Sequence, residues 1–277
     1  MAHPALSSDS VAVIMGGGSG IGLAAATAFA GMGMRIVVVD RVEERLSPAK
    51  DALRAAGAAD VMLSNADVSD RDALIALEAE VADKFGGTDI LMNNAGVGMR
   101  SSATEVSDAW ATTLGVNLWG PIYGSQAFAP RMMARGRPGI IVNTGSKQGI
   151  TTPPGNPAYN VSKAGLKAYT EALAHELRNA EGNQVTAHLL VPGFVHTAMI
   201  GMEEKHPSAW TAEQTVDFFL SRLSDGDFYI LCPDNDVPRE IDEKRIAWAL
   251  GDIIENRPAL SRWHPDYADA FEAHMKS

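Results

Sequence analysis

The chain of 277 residues carries 34 acidic and 23 basic side chains, a net charge of −11, with 46% hydrophobic and 21% charged residues. That composition is ordinary for a water-soluble globular chain with one sizeable core, and its acidity disfavours attraction to nucleic acid or an anionic membrane. No apolar run approaches the roughly 20 residues of a membrane span, Met1 to Ser10 lacks the marks of a secretory signal, and Cys232 is the single cysteine, which excludes an internal disulfide and a cysteine-based metal site. A cytoplasmic location is expected.

In chain order, Val11–Met15 is a short apolar run, followed by a glycine-rich turn and an alanine-rich helical stretch to about Met32. Arg35–Val39 is β-branched and ends at Asp40, and Val42–Ala56 reads as a helix. Val61–Leu63 predicts a third strand, and Asp70–Phe85 a helix with apolar residues at Ala73, Leu74, Leu77 and Val81. Asp89–Met92, Gly139–Asn143 and Gln184–Val191 follow as strands, separated by long helices near Asp108–Arg135 and Ala158–Asn179. Continuously apolar strands joined by helices imply a parallel sheet covered on both faces. Right-handed crossovers then make a doubly wound, Rossmann-type α/β sheet the simplest arrangement. No linker or repeat divides the chain, so residues 1–277 are expected to form one domain, with a core of about 10–233 and a C-terminal extension of about 234–277. After Ala198 the pattern loosens: Ala212–Leu223 looks helical, Phe228–Cys232 looks like a last strand, and Arg239–Glu255 like another helix. The aromatic tail around Trp263, His264, Pro265, Asp266 and Tyr267 fits packing on its own domain, on a partner subunit, or beside a pocket.

Gly16-Gly17-Gly18-Ser19-Gly20-Ile21-Gly22 directly follows the first strand and opens a helix. Glycines there permit positive φ and close approach of backbone to a pyrophosphate, and the helix N-terminus offers free N–H groups and partial positive charge. A glycine turn alone is equally a structural turn. Here a strand precedes it, a helix follows it, and a second strand ends in Asp40. That acid lies about 20 residues past the glycines, where a carboxylate reaches the adenosine ribose 2′-OH and repels a 2′-phosphate. Arg41 dissents, because a base after the second strand suits NADP; it also reads as a solvated helix-start residue. With Asp40 present, NAD is favoured over NADP.

Tyr159 and Lys163 stand four residues apart in Tyr159-Asn160-Val161-Ser162-Lys163, hence on one helix face. That spacing is common on packed surfaces. Beside it comes Ser146, at the end of the Gly139–Asn143 strand, where open α/β sheets bind ligands. With Gly16, Gly20 and Gly22, Asp67, Asn93-Asn94-Ala95-Gly96, Asn117, Pro192-Gly193 and Thr197, these residues form an ordered set from about Ser10 to Thr197. On that set the sequence resembles the short-chain dehydrogenase/reductase superfamily, in its single-domain Rossmann branch. Met15 stands where the family has Thr, and the family's Val-Asp-Gly-Gly ending is absent after Thr197.

The resemblance implies a catalytic set of Asn117, Ser146, Tyr159 and Lys163: Tyr159 as general acid/base, Lys163 bonding the nicotinamide ribose, Ser146 the substrate oxygen, and Asn117 a relay water. For the cofactor it implies Gly16, Ser19, Gly20, Ile21, Gly22 and Asp40, then Asp67 and Val68 at the adenine. Asn94 and Gly96 would flank the adenosine half, Val195 and Thr197 would hold the carboxamide, and Pro192 and Gly193 would also bind the cofactor. Taken alone, Asp67 and Thr197 fit helix caps equally well. The Ser107–Arg135 and Ala158–Asn179 helices resemble the family's subunit interfaces, so a homodimer or homotetramer is expected.

Met199 to Trp210 is expected to form a lid. Lys147 and Gln148 follow Ser146, and Lys147 suits either a polar or anionic substrate or solvent. Met99, Phe194, Met199, Met202 and Trp210 suggest an apolar, adaptable pocket, and equally suit core or interface. His196, His206, His264 and His274 lack metal-ligand spacing, and no metal is expected. The leading reading is NAD-linked interconversion of a secondary alcohol and a ketone. An NADP(H)-preferring carbonyl reductase is the alternative within the fold, and a non-catalytic dinucleotide sensor or scaffold the alternative outside enzymology.

Overall fold

Seven short apolar segments pair into one parallel sheet: β1 (Val11–Met15), β2 (Arg35–Asp40), β3 (Asp60–Asn65), β4 (Ile90–Asn93), β5 (Gly139–Thr144), β6 (Val185–Val191) and β7 (Tyr229–Leu231). The computed structural model describes residues 3–201 and 204–277; Met202, expected in the pocket, lies outside the described residues. Strand order is β3-β2-β1-β4-β5-β6-β7. The chain reverses its winding between β1 and β4, with Val13 registered against Val37 on one side and Leu91 on the other. A crevice opens beyond the carboxyl ends of strands at such a switch point.

Because strand side chains alternate between faces, the sheet carries two cores. Ala12, Ile14, Ile36, Val38, Ile90 and Met92 face one way. They meet Phe29 of α1 (Gly20–Gly31), Leu53 of α2 (Leu46–Ala56) and Phe219 of α8 (Ala212–Ser224). Val11, Val13, Met15, Val37, Val39 and Leu91 face the other way. They meet Leu74 and Val81 of α3 (Arg71–Phe85), Phe128 of α5 (Gly120–Ala134) and Leu177 of α7 (Pro157–Asn179). Both layers are therefore filled by residues that the alternating pattern exposes to them.

Helix ends follow local chemistry. Asp70 caps α3 by accepting from the N–H groups of Asp72 and Ala73, and Gly86 closes it in the left-handed region at φ 79°. Thr211 and Gln214 form a capping box on α8. Two predicted helices are divided. The Val42–Ala56 stretch begins as a 3-10 turn, Glu43–Arg45, before α2. The Asp108–Arg135 stretch holds α4 (Asp108–Leu114), one π-helical segment over Gly115–Trp119, and then α5. An inserted residue of this kind widens the helix locally and is frequent at functional sites. Asn117 lies in it.

The C-terminal extension folds onto its own chain through α9 (Arg239–Ile254) and α10 (Ala268–Lys276). Trp248 is its centre: Phe271 and His274 lie 5.3 and 5.2 Å from its ring, and the Arg257 guanidinium stacks 4.0 Å away. Its indole N–H donates to Ser261 Oγ at 2.8 Å. No described helix is long and apolar enough to cross a membrane.

Candidate active site

The carboxyl ends of β1, β2, β4, β5 and β6 surround a cavity of about 860 Å³. Its floor at one end is the glycine turn. Gly16 takes φ 73°, and a Cβ there would lie 2.7 Å from the Ala95 Cα. A Cβ on Gly22 would lie 2.1 Å from the Gly16 carbonyl oxygen, so only hydrogen lets α1 start this close to β1. Asp40, buried at the end of β2, accepts from the Gly18 N–H at 3.2 Å and the Val42 N–H at 2.9 Å. These bonds hold its carboxylate at the rim. Arg41 is more than half exposed, 4.0 Å from Asp67. Asp67 caps no helix; it closes a tight turn by accepting from the Ser69 N–H and hydroxyl at 2.9 and 2.7 Å.

A buried polar chain aligns the middle of the crevice. Asn93 donates to Asn143 Oδ1 at 2.8 Å, Asn143 donates to Thr170 Oγ1 at 3.0 Å, and Thr144 donates to Asn94 Oδ1 at 3.1 Å. β4, β5 and α7 are thereby fixed in register where they meet the cavity. Networks of this kind rigidify a site, although Asn93 Oδ1 is buried here without a partner.

Tyr159 sits in the first turn of α7. Pro157 opens that helix with a preset φ, and Ser101, from the loop after β4, accepts from the Ala158 N–H at 3.0 Å. One turn on, Lys163 is buried, its ammonium 5.8 Å from the Tyr159 ring and donating to the Thr144 carbonyl at 2.7 Å. Burial pushes the Tyr159 phenol above its ordinary value, while the neighbouring Ser146 hydroxyl draws it down. Burial brings Lys163 down to about 8.

That lysine leaves a signature on stability. Its folded value is depressed from 10.5 to about 8, so below pH 8 both folded and unfolded states carry the proton and the fold bears the burial cost. The cost disappears as pH rises through that window. Relative to Lys163→Met, wild type should gain about 3 kcal/mol in urea unfolding between neutral pH and pH 10.5, at about 1.36 kcal/mol per unit. A difference that stays flat with pH would contradict the assignment of that burial cost.

Of the sequence-predicted site residues, all but Gly22 and Asn117 line the cavity. Gly22 serves from behind by admitting Gly16. Asn117 is fully buried, accepts from the Val97 N–H at 2.8 Å, and donates to the Val97 carbonyl at 2.9 Å and to Ser162 Oγ at 3.3 Å. Its amide clamps the loop after β4. Thr197 precedes the 3-10 turn Ala198–Ile200 without capping it through its side chain. Met99, Phe194 and Met199 line the cavity, whereas Trp210 turns to Phe218, 5.8 Å away, and joins the first core. Its backbone bonds to Phe194 and His196 hold it there.

Three features escaped the sequence. Arg45 reaches Ser19 Oγ at 3.4 Å across the cavity mouth; only its place one helical turn beyond Arg41 hinted at this. Asn143 carries no signal beyond its position at a strand end. Lys147, expected in solvent or against substrate, lines the cavity, and its ammonium is also paired with Asp242 at 2.6 Å and Asp234 at 3.4 Å. Among the described residues, no group of three or more His, Cys, Asp or Glu is placed to hold a metal ion.

A switch-point crevice with a glycine turn at one end and Tyr, Lys and Ser at the other defines a dinucleotide-binding α/β oxidoreductase. The family model for short chain dehydrogenases matches residues 10–208, and the chain belongs to that family. It is 39% identical over 191 residues to galactitol 2-dehydrogenase (L-tagatose-forming) of Cereibacter sphaeroides, covering 68% of this chain and 72% of that one. A short-chain dehydrogenase/reductase from Burkholderia phymatum in complex with NAD superposes with a TM-score of 0.81 at 32% identity, over 90% of this chain and 95% of that one. A metagenomic short-chain oxidoreductase in complex with NADP gives a TM-score of 0.68 at 30% identity, over 82% and 98%.

Proposed function

We propose that this chain is an NAD(H)-dependent oxidoreductase interconverting a secondary alcohol and a ketone. The observation that carries the reading is the pairing of Asp40 with Tyr159, Lys163 and Ser146 on one cavity. Asp40 ends β2 and Ser146 follows β5, three strand positions apart, or about 14 Å at the usual strand spacing. An extended dinucleotide fits between them. The turn through Gly16, Ser19, Gly20 and Ile21 at the start of α1 would hold the pyrophosphate, Asp40 would accept from the adenosine ribose, and Val195 and Thr197 would hold the carboxamide.

The dinucleotide supplies or accepts the hydride. Tyr159 holds or takes the proton at the substrate oxygen, which needs a phenol brought down from the raised value that burial gives it here. Lys163, its ammonium 5.8 Å from the Tyr159 ring, would provide positive charge beside that phenol and would hold the nicotinamide ribose. Ser146 donates to the substrate oxygen as charge develops there. Asn117, its amide spent on Val97, fixes the widened turn whose main chain can hold a relay water. The galactitol 2-dehydrogenase relative supports a CH–OH substrate.

Arg41 and Arg45 on the rim favour a second reading, an NADP(H)-preferring carbonyl reductase. Titration of both dinucleotides separates the two. Wild type should bind NAD more tightly than NADP, and Asp40→Ala should weaken NAD by about tenfold or more, the loss of a charged hydrogen bond. Tighter NADP binding by wild type would favour the second reading.

A further inference from the structure

We propose that Lys147 is a positioning residue: with Asp234 and Asp242 it forms a buried charge hub that ties the Pro192–Phe194 turn, and so one wall of the cavity, to the C-terminal extension. The proposal rests on the oxidoreductase reading for its kinetic part alone. Lys147 follows Ser146 and precedes α6 (Gln148–Thr151). Its ammonium lies 2.6 Å from Asp242 on α9 and 3.4 Å from Asp234 just after β7, and both carboxylates are less than one-tenth exposed. The same Asp234 oxygen accepts from the Phe194 N–H at 3.2 Å. Its other oxygen accepts from the N–H groups of Asp236 and Val237 at 3.2 and 2.9 Å, fixing the entry to the extension.

Packing forces these segments together. A Cβ on Gly193 would lie 2.7 Å from Asp234 Oδ2 and 3.0 Å from Lys147 Nζ, so the turn rests directly on the hub. On the far side, a Cβ on Gly149 would lie 2.5 Å from the Lys163 carbonyl carbon, so α6 is seated on the helix that carries Tyr159 and Lys163. The hub holds two carboxylates and one ammonium. Arg245 on α9 adds positive charge toward Asp242, and burial pushes the Cys232 thiol beside them up to about 12, leaving it neutral. Removing Lys147 leaves buried carboxylates facing each other, which favours separation of the extension from the turn.

The test compares Lys147→Met, Lys147→Arg, Asp242→Asn and Lys147→Met/Asp242→Asn by hydrogen exchange and by steady-state kinetics with one neutral and one anionic secondary alcohol. Lys147→Met should speed exchange at 193–197 and 234–242, and raise substrate KM about tenfold or more with little change in kcat, as misplaced binding walls do. Lys147→Arg should restore both toward wild type. Asp242→Asn, which keeps the Lys147–Asp234 pair, should fold and shift both in the same direction by less. The double variant should recover part of the loss, because fewer buried carboxylates stand unpaired. Unchanged exchange in Lys147→Met and Asp242→Asn would overturn the hub. So would a KM change confined to anionic substrates, which signals direct contact between Lys147 and substrate. If wild type turns over no alcohol, the oxidoreductase reading fails while the exchange data still decide the hub.

Discussion

Tyr159→Phe is expected to lower kcat by about 10²–10⁴-fold, the usual contribution of a positioned acid/base, while leaving dinucleotide affinity within about threefold, under 1 kcal/mol. The variant removes one oxygen from a side chain already fixed by the α7 start and by Ser101, so the cavity keeps its shape. The oxygen removed is the one proposed to exchange a proton with the substrate oxygen. In the structure the phenol lies above its ordinary value because burial outweighs the Ser146 hydroxyl, and Lys163 spends its ammonium on Thr144. Under the proposed function the Lys163 ammonium, 5.8 Å from the Tyr159 ring, would supply the positive charge that lowers the phenol. Lys163→Met should accordingly depress activity as well, through loss of that charge. Turnover and binding measured on the same preparations check both; equal kcat in wild type and Tyr159→Phe would remove Tyr159 from the chemistry.

Asp89→Ala should lower unfolding free energy by about 3 kcal/mol, at the lower end of the range for removing one partner of a buried charge pair. Asp89 is 1% exposed at the opening of β4. Its Oδ2 accepts from the Val11 N–H at 2.9 Å, and Oδ1 faces Arg135 at 3.0 Å and Arg137 at 3.1 Å. Arg135 also donates to the Thr88 carbonyl at 2.6 Å. One carboxylate thus joins the starts of β1 and β4 to the end of α5. Arg137 is nearly half exposed, which lets water compensate part of the loss. All of these groups lie at the amino ends of the strands, away from the crevice. The urea midpoint should fall with the slope unchanged, and kcat of the folded variant should match wild type. A midpoint within error of wild type would contradict the assigned role.

Much of the fold was legible because both its signals are local. Val11–Met15 followed by Gly16–Gly22 states strand, turn and helix in a dozen residues, and Asp40 closes the second strand. Tyr159, Lys163 and Ser146 were legible only as members of an ordered set. The illegible parts depend on partners far along the chain. Nothing near Lys147 announces Asp234 and Asp242, which arrive from the other side of β7. Trp210 reads as a pocket aromatic from its neighbours, yet its backbone pairing with Phe194 and His196 turns it into the core. The π turn over Gly115–Trp119 preserves the apolar spacing of a continuous helix, so its extra residue shows only in the hydrogen bonds. In the tail it is Phe271 and His274 that pack on Trp248 of α9, whereas Trp263 stays exposed and His264 meets Tyr267.

Hydride transfer between a secondary alcohol and NAD can be measured outright. The full chain is incubated with NAD or NADP and a panel of secondary alcohols, polyols included, and the reduced dinucleotide is read by absorbance. Reduction of NAD is expected with at least one alcohol, at higher kcat/KM than with NADP, together with its loss in Tyr159→Phe. Reduction of NADP in preference to NAD, or equal turnover by Tyr159→Phe, would contradict the proposed function.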